Sequence, residues 1–207
     1  MATVRSSNAW AKNQMKVGIS LETTRVLRDT WHSAINHDWY DFLKGHTIVP
    51  LVSAADTSGI NVSEFDLIVL CGGNDMSDFV TWRNNHDPQR DRFEANLIDQ
   101  AIERLVPVVG ICRGSHFINK HMGGTLRMLD TPYDNVQVAL PGINVVCHHT
   151  IAIDRLALGF EAVLTDKAGV VELAVNKEKR MLGIGWHPER PVNTHTREYL
   201  LNLIKQL

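Results

Sequence analysis

The chain has 207 residues, 44% of them hydrophobic, 21% charged and 7% aromatic, which is the composition of a packed globular domain and excludes a disordered or fibrous chain. Its 21 Lys and Arg against 23 Asp and Glu leave a formal net charge of −2, so there is no general basic field to hold nucleic acid or an anionic membrane, and only a local patch could receive a small anion. Cys71, Cys112 and Cys147 are odd in number and widely spaced, which fits neither a disulfide framework nor a paired-cysteine metal site and points to a reducing, cytoplasmic setting. Residues 1–14 are polar and lack the apolar core of a signal peptide, and no later run approaches ~18 apolar residues, so neither export nor a membrane span is expected.

Short apolar β-branched runs alternate with segments of helical period, the pattern of an α/β fold with an open, mainly parallel sheet flanked by helices. After a loose tail over 1–14, one domain over 15–207 is expected. Its first strand is Met15–Ser20. Val26, Leu27, Trp31, Ile35, Trp39 and Phe42 then fall on one face of a helix expected over Thr23–Lys44, closed by Gly45. Thr47–Val52 reads as a second strand and Phe65–Leu70 as a buried one. The latter runs into Cys71-Gly72-Gly73-Asn74-Asp75, where two glycines permit a sharp turn with exposed amides. Gln89–Leu105 is an amphipathic helix, Pro107–Ile111 a buried strand, and Arg113–Met122 a helix ending at Gly123-Gly124. Shorter strands are expected at Val136–Leu140, Asn144–Ile153, Ala162–Leu164, Val170–Val175 and Met181–Trp186, some of them antiparallel, before a closing helix over Thr194–Gln206.

Gly110-Ile111-Cys112-Arg113-Gly114 has the Gly-x-nucleophile-x-Gly form of a nucleophile elbow and lies between an expected strand and helix. The glycines would permit a strained turn, and the helix N-terminus would favour a thiolate and offer the Arg113 amide to an oxyanion. A free cysteine at a strand end is more commonly a small core residue, so the elbow alone leaves both readings of Cys112 open. Trp186-His187-Pro188-Glu189 supplies a base at another strand end, with a carboxylate two residues on to orient it.

Three motifs in this order resemble the class I glutamine amidotransferase superfamily, and within it the γ-glutamyl hydrolase branch. Cys71–Asp75 is similar to its GG-x-D oxyanion loop, Pro107–Leu126 to its ICRG block and Gly185–Glu189 to its WHPE block. Arg90-Asp91-Arg92-Phe93-Glu94 is similar to the RD-x-FE helix start of the hydrolase branch. The resemblance implies a flavodoxin-like sheet with a small antiparallel extension, and a Cys112–His187–Glu189 triad working through a γ-glutamyl thioester. It further implies an oxyanion hole of the Gly73 and Arg113 amides, and no cofactor or metal.

Asn74, Asp75, Arg90, His116, His148 and His149 are the expected substrate contacts. His116 replaces the family's usual Gln, and Asn144–Thr150 departs from its VNS-x-HHQ segment, which argues against plain glutaminase activity. Adjacent strand residues face opposite ways, so at most one of His148 and His149 is expected in the site, and a histidine metal pair is not. Asp75, Arg83, Asn84, His86, Arg90 and Arg92 could form a rim for a phosphorylated leaving group, or be only a solvated face. In size, loop and ICRG block the chain is similar to γ-glutamyl-CDP-amidate hydrolases of capsule phosphoramidate synthesis. That resemblance implies a small-molecule, nucleotide-linked γ-glutamyl conjugate as partner, with homodimer formation left open. A γ-glutamyl-aminobutyrate hydrolase, a glutaminase subunit feeding ammonia to a synthase, a catalytically silent module, and a chaperone- or protease-like member of the wider Cys-elbow α/β proteins are the alternatives.

Overall fold

The computed structural model describes residues 14–26, 30–53, 59–79 and 85–207; the expected tail, save Gln14, and Leu27, Arg83 and Asn84 lie outside them. The strands are β1 (Lys16–Ser20), β2 (Glu22–Val26), β3 (Thr30–Ala34), β4 (Thr47–Leu51), β5 (Leu67–Leu70), β6 (Val108–Ile111), β7 (Thr125–Leu140), β8 (Ile143–Arg155), β9 (Glu161–Thr165), β10 (Val171–Asn176) and β11 (Met181–Ile184). The helices are α1 (Asp38–Phe42), α2 (Pro88–Arg104), α3 (Arg113–His121) and α4 (Arg197–Ile204). Among the described residues seven strands form one sheet in the order β4-β1-β5-β6-β11-β10-β9, while β2-β3 and β7-β8 form separate antiparallel pairs. Neighbours from β4 to β11 are parallel, and β10 and β9 add the antiparallel extension.

The central strands read as uninterrupted apolar runs because both faces are covered. Leu67, Val69, Val109 and Ile111 pack with Trp39 and Phe42 of α1 and Leu200 and Ile204 of α4, while Ile68, Leu70 and Val108 pack with Phe93, Leu97, Ile98 and Ala101 of α2 and Ile118 of α3. α2 forms where expected: Asp87 accepts a bond from the Gln89 amide at its N-terminus, and Pro88 occupies the first turn, where its missing N–H costs nothing.

The helix expected over Thr23–Lys44 is not formed. Its first part is the β2–β3 pair, with Thr23 opposite Ser33 and Arg25 opposite Trp31, and among the described residues of the segment only five, Asp38–Phe42, are α-helical. Threonines at 23, 24 and 30 favour a pleated surface, and of the apolar positions thought to share a helix face Trp39 and Phe42 are the described ones that are fully buried. The strands expected at Val136–Leu140 and Asn144–Ile153 are parts of the longer β7–β8 hairpin. The closing helix is shorter than expected, a 3₁₀ turn over Pro191–Thr196 leading into α4. No helix among the described residues is long and apolar enough to cross a membrane.

Candidate active site

Three adjacent parallel strands deliver the site. β5 ends at the Cys71–Asp75 loop, β6 at Cys112, and β11 two residues before the Trp186–Glu189 segment, so loop, thiol and imidazole meet at the carboxyl edge of the sheet, where α/β folds bind ligands. A bond of 2.7 Å from the Cys112 amide to the Ile184 carbonyl locks the elbow to β11.

Cys112 has φ 51° and ψ −107°, a strained conformation costing about 1–3 kcal/mol for a non-glycine residue. Its neighbours must be glycines: a Cβ on Gly110 would lie 2.4 Å from the Gly114 carbonyl carbon, and one on Gly114 2.2 Å from the Leu70 oxygen. The Cys112 thiol donates to the His148 carbonyl oxygen at 3.7 Å, and the His187 imidazole and the Arg113 backbone N–H lie close enough to act on its ionisation. His187 Nδ1 is 2.6 Å from Glu189 Oε1, which fixes the tautomer with Nε2 toward the thiol. Gly72 leaves the space for this ring, since a Cβ there would meet His187 Cε1 at 2.7 Å and the Cys112 Cβ at 3.5 Å. Asn193, fully buried, donates to the His187 and Val146 carbonyls and accepts from the Val146 amide, tying the segment to β8.

Burial resists ionisation of both partners, but each charge outweighs it for the other. The Cys112 thiol is lowered from the ordinary range by His187 first, and His187 is raised to about 10 by Cys112 and then Glu189. Both shifts favour the thiolate–imidazolium form of the pair.

Arg90 is not a substrate contact. It is 0% exposed, and its guanidinium bonds Glu94, Asn74 Oδ1 and the Cys71 and Gly72 carbonyls, so it shapes the oxyanion loop from behind. Asn74 is held between Arg90 and the Thr23 hydroxyl, with 3% of its surface exposed in the cleft. Gly73, at φ +112°, completes the turn. The Arg113 side chain pairs with Glu94 and Asp91, linking the loop to the elbow.

A cleft of about 260 Å³ opens beside Cys112, lined by Gly73, Asn74, Asp75, Met76, Asn85, Arg113, His116, His148, His149, Thr150 and Ile151. His116 is buried and its pKa is pushed down to about 3 by desolvation and then by His149 and Arg113, so it is neutral. His148 turns its half-exposed ring outward, 3.0 Å from Asp134. His149 is buried and pairs with Glu172, whose Oε2 has no hydrogen-bond partner among the described residues. Neither Glu172 nor Asn193 is anticipated by the motifs. An acid within the apolar run Val-Glu-Leu-Ala-Val of β10 is the one signal that could have exposed Glu172; Asn193 has none.

The model of the Peptidase C26 family matches residues 17–135 and 130–189. The chain belongs to that family. Within this glutamine amidotransferase-like group, the C26 chain is 28% identical to the glutamine amidotransferase-like protein YvdE of Lactococcus lactis, over 77% of this chain and 83% of the relative. It is 25% identical to the γ-glutamyl-CDP-amidate hydrolase of Campylobacter jejuni, over 83% and 90%. A solved structure from Thermoplasma acidophilum, described as one subunit of a GMP synthase, has the same fold: TM-score 0.67 at 19% identity, over 93% of this chain and 94% of that one.

Proposed function

We propose that this C26 chain is a cysteine-dependent hydrolase of a γ-glutamyl–nitrogen bond. The observation that carries the reading is the grouping of Cys112, His187 and Glu189: His187 Nδ1 is 2.6 Å from Glu189, and the imidazole and the Cys112 side chain meet over Gly72 beside the cleft. The Cys112 thiolate attacks the γ-carbonyl carbon; the C–S bond forms and the carbonyl electron pair moves to oxygen, toward the Gly73 and Arg113 amides. Each such donor is typically worth ~3 kcal/mol to the transition state. As the oxyanion collapses the C–N bond breaks, and His187 gives its proton to the leaving amine. Water then attacks the thioester, His187 takes a proton from it, and the C–S bond breaks to release glutamate and the thiolate.

The cleft, at about 260 Å³, is smaller than the ~300–1,000 Å³ of drug-sized sites, so it suits the glutamyl group while the leaving group extends beyond it. Across the Thr23–Asn74 hydrogen bond lies a polar groove of about 410 Å³, lined by Thr23, Trp31, Ser33, Ser53, Asp87, Pro88, Gln89 and Arg92. An indole and a guanidinium there suit a nucleotide diphosphate. Together with the Campylobacter relative, this favours γ-glutamyl-CDP-amidate as substrate and cytidine diphosphoramidate as product. Three free cysteines suit action in the cytoplasm.

The test is glutamate release from glutamine, γ-glutamyl-aminobutyrate and γ-glutamyl-CDP-amidate by the intact protein and by Cys112→Ala. Cys112-dependent release from the nucleotide conjugate with little from glutamine is expected. Release from glutamine alone would replace the reading with that of a glutaminase serving a synthase, and release from γ-glutamyl-aminobutyrate alone would change the leaving group.

A further inference from the structure

His149 has an acceptor at each end of its ring. Nδ1 is 2.8 Å from the Ile151 backbone oxygen and Nε2 is 3.2 Å from Glu172 Oε1. A neutral imidazole carries one N–H and would set a lone pair against one of these oxygens; only the imidazolium donates to both. The carboxylate opposite it is 1% exposed. His149 and Cys112 line the same cleft.

We propose that Glu172 is a positioning residue that holds His149 as an imidazolium beside Cys112, a stationary positive charge that keeps the nucleophile ionised while His187 moves the protons. The proposal rests on Cys112 being the nucleophile and deepens that reading. It gives the site two histidines with separate duties. Once His187 has passed its proton to the leaving amine, His149 still offers positive charge to the sulfur, which must depart as a thiolate when the thioester is hydrolysed. His149 exchanges no proton in either step.

The surrounding groups agree with this assignment. Glu172 faces the ring from β10, His116 from α3 at 5.6 Å between centroids, and Tyr133 from β7 at 5.1 Å; Cys112 of the elbow lines the same cleft, and Cys147 is two residues away on β8. Desolvation opposes charge on His149, but Glu172, Cys112 and the Ile151 carbonyl outweigh it and raise its pKa. His116 stays neutral beside it, as a second cation at that distance would be repelled. Cys147, His149 and Glu172 also bring donor atoms within 4.8 Å of one another, a spacing that a metal ion could bridge. The direct contact between His149 and Glu172 is the length of a hydrogen bond, and the chelation arm of the experiment separates a shared proton from a shared metal.

The experiment uses the full chain labelled with ¹⁵N-histidine, with His149 identified by the signal lost in His149→Gln. Alkylation of Cys112 by iodoacetamide is followed across pH on the peptide that carries it. In the parent, the His149 nitrogens are expected at imidazolium positions at neutral pH, unchanged by EDTA. In Glu172→Gln they move to neutral-imidazole positions, the pH midpoint of Cys112 alkylation rises, and the rate on the acidic side falls about tenfold. A neutral His149 in the parent, a change on chelation, or an unmoved alkylation midpoint in a folded variant would overturn the proposal. If Glu172→Gln does not fold, the parent spectrum decides. Neither readout uses a γ-glutamyl substrate. Absent glutamate release with these results intact would overturn the substrate reading alone.

Discussion

On the oxyanion-loop flank of Cys112, Arg90, Glu94, Arg113 and Asp91 form a buried lattice in which each charge faces an opposite one, and Glu94 takes bonds from Ser20, Arg90 and Arg113. On the other flank, His187–Glu189 and His149–Glu172 are buried histidine–carboxylate contacts, yet Glu189 Oε2 and Glu172 Oε2 accept no hydrogen bond among the described residues. The cations differ as well. Guanidinium does not titrate in the working range, whereas imidazole does. One flank is therefore a fixed frame behind the loop that supplies the proposed oxyanion amides, and the other holds the proton-moving His187 of the proposed reaction beside His149, whose charge stays put.

The comparison can be broken by removing its elements in turn. Cys112→Ala, the shared centre, should lower glutamate release by at least about 10⁴-fold, as for loss of other catalytic nucleophiles, measured with the conjugate that the intact chain cleaves. Glu94→Ala strips the frame of its central anion and leaves two buried guanidinium groups facing each other. Unfolding in urea should show a loss of about 3–5 kcal/mol, and a loss under 1 kcal/mol would sink the idea of a buried frame. Gly72→Ala puts a methyl group against the His187 ring on the proton-handling side. It should reduce kcat by about 10²-fold through misplacement of the imidazole, with KM little changed.

The smallest effect concerns pH. With Cys112 lowered and His187 raised to about 10, activity should rise as pH climbs through the Cys112 value and fall near pH 10 as His187 loses the proton that it must donate. Glu189→Gln removes one of the causes that raise His187, so the alkaline limb should move to lower pH. An unmoved alkaline limb would mean that Glu189 does not hold the His187 proton.

How much of this is legible in the sequence depends on whether the controlling contact is local. α2, α3 and the strands that end at Gly72 and Cys112 are legible because both their periodicity and their boundaries are written in adjacent residues, and the elbow needs only five positions. The segment 23–44 misleads because apolar residues at intervals of three and four also fit a twisted hairpin followed by a short helix. What decides is the pairing of residue 23 with residue 33, which no window reveals. Arg90 looks like a surface cation until the loop folds over it. Glu172 meets His149 from a neighbouring part of the fold 23 residues later, so the pair exists only after β8 and β10 are in place.

The left-handed kink at Cys112 bears on what happens if the catalytic demand disappears. A residue without a β-carbon adopts that backbone freely, so Cys112→Gly should melt at a higher temperature than the active protein even though it loses the nucleophile. Selection for durability and selection for turnover thus pull in opposite directions at this one codon. On the proposed function, a duplicated copy freed from catalysis would drift toward a sturdier, inert fold.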